Sequence, residues 1–310
     1  MRHALATLGI VWGALVAAPD AAPAREKLAL GYTASDSYLA AMVAKDNGLF
    51  EKRGLDVDLQ IIALNSAMPA ALSAGTVQIA GTTSPVFLQA IDRGADLVAI
   101  AGGNVAEKTN TRFAAVARGG IAIARPQDFI GKTVGVPGLG ANTHVLFRNW
   151  LLAKGVHYSQ VNFVAIPFPQ MQDALKSGAV DAVLTSDPVL YQLLNAEAGS
   201  VVATFMDVLR VQIPIIVYSA TREWATKHRS VIVAFRESII EAIAMIEASP
   251  EVARAAETRH LALPADIIAN VPIPRYRAPI TDAMLQNWVD IMTRQQMLAR
   301  KPDVSKLVVR

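Results

Sequence analysis

Cysteine is absent from all 310 residues. The chain therefore has no disulfide, no thiolate nucleophile and no cysteine-ligated metal. Aromatic residues make up only 6%, too few for the stacking platforms on which single-stranded nucleic acids are held. Charged residues amount to 18% with a net charge of +3, and lysine and arginine nowhere form a run of five. A basic face for nucleic acid is thereby excluded. Beyond residue 18 no apolar run is long enough to span a bilayer. No G-x-S-x-G elbow, H-E-x-x-H pair or Walker loop is present. The five histidines, His3, His144, His157, His228 and His260, are isolated, and Asp36, Asp173, Asp181 and Asp187 do not fall at metal-ligand spacing. These gaps point away from an enzyme, a cofactor and a metal. What the chain has in plenty is hydrophobic residues, 53%, enough to build about two packed domains at this length.

The first residues read as a secretory leader. Arg2 and His3 are a short positive segment, Ala4 to Ala18 is apolar, and Ala22-Pro23-Ala24 supplies an A-x-A-like cleavage site. The expectation is a signal peptide over 1–24 and an exported, periplasmic product. A lipid anchor would need a cysteine after the apolar stretch, and there is none.

One segment is written twice. Residues 71–86 and 174–189 align without a gap at an offset of 103, with seven of sixteen pairs identical. Each copy predicts a helix ended by a glycine, a short apolar strand, and a new helix at Ser84-Pro85 or Asp187-Pro188, an N-cap residue followed by proline at N1. The repeat reaches further: strand, polar loop, helix, glycine, strand, helix, glycine, strand and capped helix run from Leu28 and again from Thr133. Such alternation predicts mainly parallel sheets with crossover helices, an α/β chain of two similar lobes. Phe113–Ala117 and Ile213–Ser219 are β-like and serve as the crossings. Residues 222–248, a segment from Ser249-Pro250, and one from Thr281 are helical and pack back on the first lobe. The expected division is 25–115 plus 218–310 for lobe 1 and 118–212 for lobe 2.

Ligands in open α/β sheets sit outside the carboxyl ends of strands, which singles out the loops there. Gly138-x-Gly140-x-x-Thr143 follows a strand, but threonine stands at the third position and no acidic residue ends the next strand, so dinucleotide binding is rejected. The turn still offers helix N–H donors at Asn142-Thr143 to an anion or carbonyl. His144 in the same helix reads as structural or solvated, and Asp187 as an N-cap that also accepts from a ligand.

Leu28–Tyr32 followed by Ala44-Lys45-Asp46-Asn47-Gly48-Leu49-Phe50-Glu51-Lys52-Arg53-Gly54-Leu55 resembles the opening of periplasmic solute-binding proteins. The group is the nitrate/sulfonate/taurine and thiamine-pyrimidine-precursor type (NMT1/THI5-like, SsuA-like). Leu72-x-x-Gly75-x-Val77, Thr83-Ser84-Pro85, Gly131-Lys132-Thr133-Val134-Gly135-Val136 and Leu175-x-x-Gly178-x-Val180-Asp181-Ala182 continue the match over nearly the whole mature chain. The resemblance implies a type II periplasmic-binding-protein fold, two lobes joined by two crossover strands with a ligand cleft between them. It implies a monomer that takes a small solute by hinge closure and hands it to an ABC permease with its cytoplasmic ATPase. It places ligand residues at Tyr32, Ser35, Asp36, Asn65, Thr83, Ser84, Gly140, Asn142, Thr143, Gln170 and Asp187. Sulfonate, carboxylate, zwitterion and neutral heterocycle stay open as ligands. Asp36 and Asp187 are expected to repel a bare anion, Tyr32 to stack on a ring, and Arg112 or Arg210 to supply a guanidinium. Two other readings are a thiamine-pyrimidine synthase-like enzyme, whose cysteine-rich segment this chain lacks, and a binding protein partnered with a sensor.

Overall fold

The computed structural model describes residues 25–261 and 264–309; the expected leader, 1–24, lies outside them. The chain opens with β1 (Glu26–Tyr32), α1 (Leu39–Asp46), β2 (Leu55–Ile61), α2 (Met68–Ser73), β3 (Ile79–Thr83), α3 (Ser84–Asp92), β4 (Leu97–Gly102) and β5 (Val105–Ala106). The second unit runs β6 (Phe113–Ala117), β7 (Thr133–Val136), α4 (Asn142–Ala153), β8 (Asn162–Ala165), α5 (Met171–Lys176), β9 (Ala182–Ser186), α6 (Val189–Asn195) and β10 (Ser200–Thr204). Then follow β11 (Ile213–Pro214), β12 (Ile216–Thr221), α7 (Arg222–Lys227), α8 (Arg229–Ala248), α9 (Pro250–His260), α10 (Ala265–Asn270) and α11 (Asp282–Arg294).

Two five-stranded sheets form, ordered β2-β1-β3-β12-β4 and β10-β6-β9-β7-β8. In each, four strands run one way and the fifth runs against them: β12 between β3 and β4, β6 between β9 and β10. The antiparallel member of each sheet follows a crossing from the other, through 107–112 and 205–212, and β5 pairs with β11 between them. These are the two similar lobes, two crossovers and intervening cleft that the resemblance implies. The repeat survives as geometry. The offset of 103 maps β3 onto β9 and α2 onto α5 residue for residue.

The all-buried strands β3 and β9 carry short side chains, so helices close on them from both sides. Residues 222–248 were expected as one helix. His228, at φ −122° and ψ 44°, divides them into α7 and α8, and α10 was not anticipated. The Thr221 and Thr281 caps form as expected, accepting from the N–H groups of Trp224 and Met284. The last third packs on the first sheet: Phe235 of α8 stacks on Phe50 and meets Tyr218 of β12 edge-on, and Trp288 of α11 donates to the Pro214 carbonyl at 2.6 Å. Among the described residues no helix is long and apolar enough to cross a membrane.

Candidate functional site

A cavity opens where the carboxyl ends of the two parallel strand sets face each other. Its empty volume is about 350 Å³, open solvent at the mouth included. The first lobe contributes Thr33, Ser35, Ser37 and Tyr38 after β1, Asn65 before α2, Thr83 at the end of β3, and Ile216. The second contributes Pro137, Ala141, Asn142 and Thr143 after β7, Phe168, and Ser186 at the end of β9. None of these side chains is charged.

Tyr38 is the structural hub of the first-lobe wall. Its hydroxyl donates to the Gly81 carbonyl at 2.9 Å and accepts from Asn65 Nδ2 at 2.7 Å and from Thr33 Oγ1 at 3.3 Å. Burial, offset by those hydrogen bonds, pushes its pKa up to about 12, so it stays a neutral donor. Gly81 is what lets the ring lie there: a Cβ at that position would come within 2.3 Å of Tyr38 Cε1. Asn65 completes the wall by accepting from the Thr83 N–H at 2.8 Å.

Two groups in the cavity remain unspent. The hydroxyls of Thr83 and Thr143 are buried and have no hydrogen-bond partner. Thr83 is the N-cap of α3, and Thr143 lies in the first turn of α4. The N-termini of two helices of nine and twelve residues, one from each lobe, thus meet at the cavity. The positive ends of the helix dipoles collect there. His144 does not add a charge. Its Nδ1 accepts from the Gly140 N–H at 2.9 Å, and burial followed by nearby Arg148 lowers its pKa to about 3. It is a structural imidazole that holds the turn.

The carboxylates behave differently from expectation. Asp36 and Asp187 do not line the cavity; both turn behind it onto Arg112. Arg112 Nη2 donates to Asp36 Oδ2, and its Nη1 lies 3.5 Å from Asp187 Oδ2. Burial raises the Asp36 carboxyl to about 6 and that of Asp187 to about 7, with Arg112 opposing both shifts. A buried carboxylate needs a counter-ion, and the nearest one is this guanidinium. Ser84 and Asp187 are not N-caps either. The cap of α3 is Thr83, while α6 starts only at Val189. The Ser84 hydroxyl donates to the Pro214 carbonyl at 2.8 Å, outside the cavity.

Of the eleven residues expected at the site, Ser35, Asn65, Thr83, Asn142 and Thr143 line the cavity together. Tyr32 stands behind Tyr38, edge-on at 5.9 Å. Gly140 is buried outside the cavity lining, and its carbonyl accepts from Gln89 Nε2 at 2.9 Å across the cleft. Gln170 is exposed at the end of the 3-10 turn Phe168–Gln170, whose first residue lines the cavity instead. Arg210 is exposed on the second crossing. Sequence reasoning missed Tyr38, Pro137, Phe168 and Ile216, whereas Ser186-Asp187-Pro188 reads as the jaw that opposes Thr83-Ser84-Pro85. The offset of 103 held the signal for Ser186, the counterpart of Thr83.

The family model described as NMT1/THI5 like matches residues 36–253. A formylaminopyrimidine-binding protein from Halalkalibacterium halodurans is 30% identical over 143 residues, 46% of this chain and 41% of that protein. A taurine-binding periplasmic protein from Escherichia coli is 27% identical over 215 residues, 69% of this chain and 64% of that protein. The match thus spans less than two thirds of the length of either curated relative. Among solved structures, the alkanesulfonate-binding protein SsuA from Xanthomonas axonopodis pv. citri bound to MOPS superposes with a TM-score of 0.78 at 19% identity, over 94% of this chain and 99% of that one. The periplasmic nitrate-binding protein NrtA from Synechocystis gives 0.78 at 16% identity, over 93% and 87%. At such identities the likeness concerns the fold.

Proposed function

The chain belongs to the NMT1/THI5-like family, and from that premise we propose that it is an exported, periplasmic solute-binding protein. It captures a small organic solute between its lobes by hinge closure and delivers it to an ABC import permease with its ATPase. It is a binding protein, not an enzyme. The observation that carries this reading is the cavity itself. Uncharged donors from both lobes converge there, with the unpartnered hydroxyls of Thr83 and Thr143 at opposing helix N-termini. Donors without a fixed cation favour a solute with an acceptor-rich head such as a sulfonate or carboxylate. Repulsion from Asp36 and Asp187 is offset by Arg112 between them. A solute that touches both lobes stabilises the closed form by its differential contacts.

A neutral heterocycle is the second reading. The rings of Tyr38 and Phe168 in the lining favour it, as does the relative that binds a formylaminopyrimidine. A thermal-shift series over alkanesulfonates, taurine, short carboxylates and aminopyrimidines separates the two. Stabilisation by a sulfonate or carboxylate supports the first reading, stabilisation by pyrimidines alone the second. No shift with any of them sinks the solute-binding proposal for these classes. Small-angle scattering with the stabilising solute checks closure; an unchanged radius of gyration overturns it.

A further inference from the structure

Arg112 sits just before β6, and its carbonyl accepts from the Asp187 N–H at 3.1 Å. β6 and β9 are hydrogen-bonded neighbours in the second sheet, with Phe113 opposite Ser186. Arg112, at the end of the first crossing, is therefore tied to Asp187 at the edge of the second sheet. Asp36 belongs to the other lobe. It lies in the 3-10 turn Asp36–Tyr38 after β1, and Tyr276 Oη donates to its carbonyl at 2.6 Å. The bond from Arg112 Nη2 to Asp36 Oδ2 thus crosses from one lobe to the other; both acids are buried and the Arg112 side chain is mostly so. Every other ion pair among the described residues joins groups on one side of the cleft.

The backbone around the two acids alternates. Ser35 and Ser37 flank Asp36 and line the cavity; Ser186 precedes Asp187 and lines it too. Drawing both acids onto one guanidinium behind the cavity therefore brings three hydroxyls forward onto its contents. A planar guanidinium suits that task, because its two terminal nitrogens point to two carboxylates at once, which an ammonium on a flexible stem does not do.

We propose that Arg112 is a positioning residue for lobe closure: carried by the second lobe beside Asp187, it captures Asp36 of the first and so clasps the cleft from behind. The clasp rests on the reading that the lobes move as hinged bodies. With the clasp, closure assembles one buried, charge-assisted bond; without it, closure strands a buried charge, which is strongly unfavourable.

The absence of cysteine makes a distance measurement clean. Thr76→Cys and Ala179→Cys, exposed repeat-equivalent positions in the two lobes, carry spin labels, and pulsed electron–electron spectroscopy reads their separation without solute. Asp36→Asn is expected to shift the closed-to-open ratio by roughly tenfold toward the longer distance. Asp187→Asn, which removes only the partner within the second lobe, leaves the ratio within about twofold. Arg112→Lys restores the closed distance in part and Arg112→Met does not, with far-UV circular dichroism confirming that each variant is folded. An unchanged distance in Asp36→Asn, or equal opening by Asp36→Asn and Asp187→Asn, overturns the clasp. Solute-dependence of the distance in the parent double-cysteine protein tests the hinge reading separately, since the clasp is read from the variants without solute.

Discussion

Thr83 and Thr143 present buried, unpartnered hydroxyls to one cavity from opposite lobes. An orphaned buried hydroxyl costs about 1–3 kcal/mol, and here two of them occur within one space. Both are set by strand-to-helix junctions, at the end of β3 and in the first turn of α4. The first prediction separates stability from binding. Thr83→Val and Thr143→Val keep shape and remove the hydroxyl. Each is expected to leave the melting temperature unchanged or higher while weakening the solute found by thermal shift about tenfold, near 1.4 kcal/mol. Calorimetric titration beside differential scanning fluorimetry reads both. Loss of stability without loss of affinity would mean the hydroxyls are structural.

Gln89 reaches across the cleft. Its Nε2 donates to the Gly140 carbonyl on the opposite lobe at 2.9 Å and to its own helix at Pro85 O at 3.2 Å. Gln89→Ala is expected to raise the solute dissociation rate about fivefold, the worth of one neutral hydrogen bond of about 1 kcal/mol, with little effect on association. Gly140→Ala is expected to do more harm. Gly140 sits at φ +77°, and a Cβ there would lie 2.8 Å from Gln89 Nε2, so backbone strain adds to a blocked closure. Stopped-flow dissociation traces give the two rates; equal rates in Gln89→Ala and the parent protein refute the latch.

The mainly parallel strands, the lobe duplication and the loops that meet at the cleft were legible because they depend on local signals. Glycine stops, short apolar strands and capped helices recur at a constant spacing. The offset of 103 therefore survives as superposable elements from α2 to β3 and from α5 to β9. Side-chain destinations were not legible, because partners far along the chain decide them. Asp36 and Asp187 read as ligand acceptors since nothing near them predicts Arg112, which lies 76 positions from Asp36. Ser84 read as a cap because its acceptor, Pro214, is 130 positions away. Tyr38 ends a 3-10 turn that aims its hydroxyl at the Gly81 carbonyl, 43 positions away.

Ser84 gives a prediction with the opposite signature to Thr83. It is fully buried, its N–H donates to the Ile215 carbonyl at 3.1 Å, and its hydroxyl donates to the Pro214 carbonyl at 2.8 Å. Both bonds tie α3 to the strand that returns from the second lobe. Ser84→Ala is expected to lower unfolding free energy by about 1–2 kcal/mol, the loss of one buried hydrogen bond that leaves its acceptor unpaired. Solute affinity should change less than twofold. Urea unfolding and titration of one protein batch decide it; a drop in affinity with unchanged stability would return Ser84 to the binding site.

The buried acids fix the direction of the pH response. Burial raises Asp36 to about 6, Asp187 to about 7 and Glu257 to about 7, with Arg112 opposing the first two shifts and Arg254 contributing against the third. Tyr276 and both arginines face the same cluster. Each acid therefore holds its proton in the folded protein at a pH where the unfolded chain has released it. The stability they contribute is fully present below their unfolded values near 4, declines as pH rises through 6 and 7, and is lost above. The melting temperature is accordingly expected to fall between pH 5 and pH 8. The double variant Asp187→Asn with Glu257→Gln should flatten that slope, because an amide keeps the hydrogen-bonding shape and cannot ionise. Differential scanning calorimetry at half-unit pH steps in matched ionic strength reads the slope. A melting temperature that rises across this window in the parent protein would mean that the three acids are ionised when folded, with Arg112 and Arg254 outweighing burial.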